Sequence, residues 1–130
     1  AALAVGRAQL VTLLLRQLIH AGELPEIPIH VDSPMAVDAT RTYNQHSKDA
    51  SLDPAGAPDG FGSLVPRNVQ FHRSVEESKK LNQLPGTRII ISASGMLTSG
   101  RVLHHLKRLL PDERNLILLV GLLFFLRRRR

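Results

Sequence analysis

Apolar residues in this chain fall into blocks whose spacing switches between two periods. Leu10, Val11, Leu14, Leu15, Leu18 and Ile19 recur at threes and fours, the spacing of one helix face, with Arg7, Gln9, Arg16 and Gln17 largely off the stripe. Gly6 permits the turn into this predicted helix, and Gly22 closes it. Pro25 and Pro28 then keep the chain extended, and Ile27, Ile29 and Val31 alternate as a strand does. Asp32-Ser33-Pro34 is a helix-start signal, an Asp or Ser cap with proline in the first turn, and predicts a helix from Met35 to His46.

The second half repeats the alternation after an interruption. Ser47 to Pro66 holds three prolines and three glycines with few large apolar residues, and reads as a long loop pinned by Phe61 and Leu64. Val69 and Phe71 resume order. Ser74 with Glu77 three residues later matches a capping box and predicts a short helix ending by Leu84. The β-branched run Ile89-Ile90-Ile91 predicts a buried strand over Arg88–Ser92. A loop of small residues follows, and from Arg101 to Leu110 Val102, Leu103, Leu106, Leu109 and Leu110 take helical spacing. Pro111 to Asn115 predicts a turn, Leu116–Val120 a further apolar strand, and Ala1–Val5 the end of an earlier one. Fully apolar strands alternating with helices predict an α/β fold. The expected architecture is a Rossmann-like, mostly parallel sheet with helices on both faces, in a single, incomplete domain.

Composition narrows the function classes. With 43% hydrophobic residues in 130, the chain can build one core. It contains no cysteine, which excludes disulfides and thiolate metal sites and fits a cytoplasmic setting. The net charge of +6 points to an anionic partner, but Arg127 to Arg130 supply four of those charges. Any affinity for nucleic acid must therefore come from a local patch and not from the field of the whole body. Leu116 to Leu126 is an apolar run of eleven residues, short of the roughly 20 that span a bilayer, so no membrane partner is expected.

The candidate chemistry separates by spacing. His20, His30, His46, His72, His104 and His105 form neither His-x-His nor His-x-x-x-His, the patterns that place two imidazoles together. His104 and His105 diverge by roughly 100° on a helix, so one should pack while the other meets solvent. His30 and Asp32 share a strand face, but two ligands are too few, and Asp32 reads as a helix cap. No complete metal site is expected. No Gly-x-Ser-x-Gly elbow supports Ser92, Ser94 or Ser99 as a nucleophile. Phosphate binding is better placed. Gly6-Arg7, Ser33-Pro34 and Ser94-Gly95 with Gly100-Arg101 all stand at strand-to-helix junctions, and should gather along one edge of a parallel sheet. Helix N-termini, small residues and two arginines there suit a phosphodiester backbone. Neither Gly-x-Gly-x-x-Gly nor the Walker pattern is present, and ordinary turn and cap residues would share this spacing.

Four ordered blocks carry a resemblance. AVGRAQ, IPIHVDSPMAVDAT, SVEESKKLN and IIISASGMLTSGRVLHHLKRLLPDERN are similar to the β-CASP domain of RNA-processing nucleases of the metallo-β-lactamase superfamily. The similarity covers Ala1 to Gly121, except the divergent 47–66 loop, and leaves 122–130 as an aberrant apolar and arginine-rich tail. The resemblance implies a domain inserted into a metallo-β-lactamase domain, with the active site in the cleft between them. It implies two zinc ions in the parent enzyme, activating water for attack on RNA. It further implies that Arg7, Ser33, Ser94, Gly95, Met96, Gly100 and Arg101 line the cleft against the RNA backbone. The partners so implied are RNA and the metallo-β-lactamase domain of the same parent chain.

The departures set the expectation for this chain. The family's His-x-His-x-Asp-His cluster and its later Ser-Ala-His and Val-His-Gly-type segments are missing, and the tail LLFFLRRRR looks like a shifted reading frame or truncated gene. The chain is thus expected to be the RNA-binding clamp portion of a zinc-dependent ribonuclease, without a catalytic residue, metal ligand or cofactor of its own. The competing reading is a non-catalytic α/β module that binds a nucleotide or a protein.

Overall fold

The computed structural model describes residues 5–46, 67–93, 97 and 99–120. The expected strand end at 1–4, the loop over 47–66, the central loop residues 94–96 and the tail 122–130 lie outside the described residues. Four helices and three strands alternate within them. They are α1 (Arg7–His20), β1 (Ile29–Asp32), α2 (Pro34–Gln45), β2 (Val69–His72), α3 (Val75–Leu81), β3 (Ile89–Ser92) and α4 (Arg101–Leu109).

All three strands are parallel, in the order β2-β1-β3. Ile29 stands opposite Val69 on one side and Ile89 on the other, and Asp32 opposite His72 and Ser92. β1 is therefore covered on both edges and both faces, and all four of its residues are buried. The chain moves from β1 out to β2 and then back past β1 to β3. Crossovers of one hand in opposite directions put their helices on opposite faces.

Alternation along the strands decides what each face meets. Ile29, Val31 and Ile91 point to the face covered by α1 and α2, where they pack with Ala8 and Ala36 and against Val11, Leu15, Ile19, Val69 and Ile89. Asp32 points to the other face, where Ser78 of α3 and His105 of α4 reach it. One face is apolar and the other carries a buried polar network.

The helix starts follow the sequence closely. Ser33 caps α2, its hydroxyl accepting from the Ala36 amide at 3.2 Å, with Pro34 as the first helical residue. Ser74 and Glu77 form the capping box of α3: the Glu77 amide donates to the Ser74 hydroxyl at 3.1 Å, and the Ser74 amide to the Glu77 carboxylate at 3.0 Å. This helix stops at Leu81, three residues short of the expected end. The turn at Pro111–Asn115 forms, held by the Asn115 amide on the Asp112 carbonyl at 3.0 Å.

Two expectations need correction. The strand over Leu116–Val120 is absent: residues 115–119 have no regular structure, Val120 makes a single bridge, and Leu116 is 89% exposed. Apolar content alone does not make a strand, which needs ladder pairing residue by residue. The broad stripe of α1 is only half used. Val11, Leu15 and Ile19 pack on the sheet, whereas Leu10, Leu14 and Leu18 stand exposed. In their place α1 turns Gln9 and Thr12 inward. The Gln9 amide nitrogen donates to the Ala36 carbonyl at 3.3 Å and to the Thr40 hydroxyl at 3.0 Å, which ties the first turn of α1 to α2. No helix among the described residues is long and apolar enough to cross a membrane.

Candidate functional site

The three strands end together at Asp32, His72 and Ser92, and the chain leaves each into a helix. α2 opens one residue after β1, at Ser33. α4 opens after the loop that follows β3, at Gly100. The Gln9 bridge brings the first turn of α1, with Arg7 exposed on it, beside the first turn of α2. Three helix N-termini thus lie at or beside the carboxyl edge of the sheet, each presenting backbone N–H groups and the positive end of a helix dipole.

The loop into α4 has special backbone geometry. Gly100 has φ +88°, open to glycine at no steric cost, and a Cβ there would sit 3.4 Å from the Ala93 carbonyl. Leu97 takes φ +55° without that freedom, which costs roughly 1–2 kcal/mol. Strain of this kind persists where the surrounding structure over-determines it, and it concentrates at ligand-holding loops.

Beneath the edge, Asp32 organises a buried network. Its side chain has no solvent exposure and receives three hydrogen bonds. Arg101 donates to one carboxylate oxygen at 2.7 Å; His105 Nε2 at 2.6 Å and the Ser78 hydroxyl at 2.5 Å donate to the other. Burial alone would raise the pKa of this carboxyl, but the bonds from His105, Ser78 and Arg101 outweigh it and hold the pKa below its ordinary value. Arg101 also donates to the carbonyls of His72 and Arg73, so one guanidinium joins α4 to the ends of β1 and β2. His105 Nδ1 lies 2.9 Å from the Asn82 side-chain oxygen, which extends the network to the end of α3.

Metal chemistry finds little here. His30 Nδ1 and His72 Nε2 lie 3.0 Å apart on adjacent strands, two nitrogens sharing one hydrogen bond. Burial, together with the charges of His72 and Arg88, lowers the His30 pKa. Among the described residues no group of three or more His, Asp or Glu side chains converges as a metal shell would. The residues described in this chain do not fit a zinc ion.

Comparison with known proteins decides the family. A profile of the Beta-Casp domain matches residues 8–122. The chain belongs to the Beta-Casp domain family. It is 38% identical over 119 residues to Ribonuclease TTHA0252 of Thermus thermophilus, covering 91% of this chain and 27% of that protein. It is 32% identical over 121 residues to an RNase J-like protein of Methanocaldococcus jannaschii, covering 91% and 26%. It is 31% identical over 125 residues to the transcription termination factor FttA of Methanosarcina mazei, covering 92% and 19%. The chain thus spans about a fifth to a quarter of the length of these curated relatives.

Within this Beta-Casp domain, the residues selected from sequence have different fates. Ser33 and Gly100 stand at the carboxyl edge as helix caps, and Arg7 lies exposed at the start of α1. Arg101 is at the same edge, but its guanidinium is turned down onto Asp32 and two carbonyls. Ser94, Gly95 and Met96 lie outside the described residues. Asp32 is corrected from helix cap to network centre, since Ser33 alone caps α2. As expected of the adjacent pair, His105 is buried and His104 exposed. Sequence reasoning missed that His105 and Arg101 act together. The signal was present: they are four residues apart, hence on one face of α4, and both can reach an acidic residue ending an apolar strand.

Proposed function

We propose that this chain is the RNA-binding clamp portion of a zinc-dependent ribonuclease, holding the RNA backbone along the carboxyl edge of its sheet. The observation that carries the reading is the match of a Beta-Casp domain to proteins named as ribonucleases, over more than nine-tenths of this chain. The geometry supports it: helix N-termini gather on one edge, with Leu97 and Gly100 at positive φ leading into α4, a ready arrangement for successive phosphates. On this reading the two zinc ions and the hydrolytic step belong to a metallo-β-lactamase domain of the parent chain. This segment contributes backbone contacts through Arg7, the cap of α2 at Ser33, and the loop 94–101. Arg101 contributes by holding the start of α4 to the ends of β1 and β2, through the N–H groups it donates to Asp32, His72 and Arg73.

The test is binding of an unstructured RNA oligomer by the 130-residue chain across a salt series. A clamp making Z phosphate contacts loses affinity with a slope of about −0.7Z on a log–log plot. Arg7→Ala should weaken binding several-fold and flatten the slope by nearly one contact. The same chain with Arg127–Arg130 replaced by serine is the control, because four arginines attract any polyanion. Salt-tolerant, saturable binding of a mononucleotide with no preference for an oligomer would replace the clamp with the small-nucleotide module. Added zinc should give this chain no nuclease activity, and robust metal-dependent cleavage by pure protein would overturn the division of labour.

A further inference from the structure

A second feature of this molecule lies off the carboxyl edge, on the flank of α2. Between α2 and the edge strand β2 opens a cavity of about 400 Å³, lined by Val37, Thr40, Arg41, Gln45 and Phe71. That volume lies within the range of pockets that hold small planar ligands. Its floor is apolar in effect. Val37 is buried, and the hydroxyl of buried Thr40 is already engaged, accepting from Gln9 and donating to the Ala36 carbonyl. One wall is Phe71, 38% exposed although it points to the apolar face of the sheet. At the mouth stand Arg41 and Gln45, one turn apart on α2 and both exposed. Arg41 acts on the nearby Asp38 carboxylate through its charge, without a direct ion pair. The neighbouring Asp38 carboxylate is taken by Arg73 at 2.6 Å.

An aromatic wall, an aliphatic floor and two planar polar groups at the rim match a flat heteroaromatic ring with hydrogen-bonding edges. An inorganic phosphate would leave Phe71 unused, and an aliphatic side chain would leave Arg41 and Gln45 unused. Unstacked bases of single-stranded RNA are bound by this combination, a face on an aromatic ring and edges on amide or guanidinium groups. The location fits as well. Phe71 stands one residue before His72, where β2 reaches the carboxyl edge, so the aromatic wall lies about 3 Å along the strand from that edge. From there the cavity runs along α2 toward Arg41 and Gln45, about 12 and 18 Å down the helix from Ser33. We propose that this cavity takes one unstacked base of the RNA whose backbone lies along the carboxyl edge, with Phe71 as the stacking platform and Arg41 and Gln45 reading the base edge. The inference rests on the clamp reading above.

The chain contains no tryptophan, so Phe71→Trp introduces a single reporter. Titrating this variant with oligouridylate should quench its emission, and with an abasic oligomer of equal length it should not. Phe71→Leu should weaken oligouridylate binding by about 5-fold or more, the effect of one lost stack, and leave abasic-oligomer binding unchanged. Thermal melting of both variants checks that the fold is kept. Equal weakening of both oligomers, or no weakening of either, overturns the base site while leaving the backbone clamp standing. Quenching by the abasic oligomer equal to that by oligouridylate overturns it too. No binding of either oligomer by the unmodified chain removes the clamp and the base site together.

Discussion

Asp32→Asn should be among the most destabilising single changes of nearly constant volume in this domain. The substitution keeps the shape but removes the charge from a side chain with no solvent exposure and three donors pointed at it. An amide can accept with only one of its two ends, so at least one donor meets another donor. Removing one partner of a buried ion pair costs about 3–5 kcal/mol. Arg101 softens the loss, because it retains two carbonyl partners and its side chain is 20% exposed, whereas His105 at 5% has no such relief. The expected loss is therefore at the lower end, about 3 kcal/mol, against a total stability of roughly 5–15 kcal/mol. Urea denaturation followed by circular dichroism measures it. A double-mutant cycle with Arg101→Met should return a coupling of about 1–3 kcal/mol. A loss under about 1 kcal/mol, or strict additivity with Arg101→Met, would refute the network as a unit of stability. The pH dependence gives an independent check. The Asp32 pKa is lower folded than unfolded, so its stabilisation is complete above the ordinary value of 3.8 and is lost as pH falls below that value through the folded pKa. Stability of the unmodified chain should fall through this acid window, and Asp32→Asn should lack that component.

Two further outcomes follow from single side chains. The His30 pKa is lowered in the fold, so the unfolded chain takes up the proton first, and stability should decline as pH falls below the ordinary 6.5; His30→Gln should remove that slope, and an unchanged slope in a pH series of melts would reject the assignment. Ser74→Ala deletes the acceptor for the Glu77 amide and should cost about 1 kcal/mol, visible as a lower denaturation midpoint without a change in its slope.

How much of this was legible in the sequence follows the reach of each interaction. Helix starts depend on residues three apart, and Ser33-Pro34 and Ser74…Glu77 announced theirs correctly. β3 was legible from its run Ile89-Ile90-Ile91 and β1 from the alternation of Ile29 and Val31, whereas Val69 and Phe71 announced only that order resumes at β2. Leu116–Val120 shows the limit of that rule, since a strand also needs a neighbour, and composition says nothing of neighbours. The α1 stripe was half right for a related reason. Six apolar positions were visible, but which ones face the sheet depends on Gln9 meeting Thr40, 31 residues away. Asp32 was hardest to read. Beside Ser33-Pro34 it looks like a cap, and its real partners, Ser78, Arg101 and His105, lie 46, 69 and 73 residues on. The strand-to-helix junctions pointed to the carboxyl edge as a candidate site, but not to Arg101 turning inward there.

The central position of β1 also governs how the domain assembles in time. Its register with β2 closes 40 residues of chain and its register with β3 closes 60, since Ile29 pairs with Val69 and Ile89. Among the described residues the sheet contains no hairpin that could form early and guide the rest. Topologies dominated by such distant pairings fold slowly, in milliseconds to seconds, because chain entropy is lost before any contact returns it. Neither outer strand can add until β1 is in place, so Val31→Ala should slow folding. The Arg101 latch can close only after β1, β2 and α4 have met, so Arg101→Met should leave the folding rate nearly unchanged and speed unfolding, as the two arms of a chevron would report. One strand sets how fast the domain comes together, and one arginine how long it stays so.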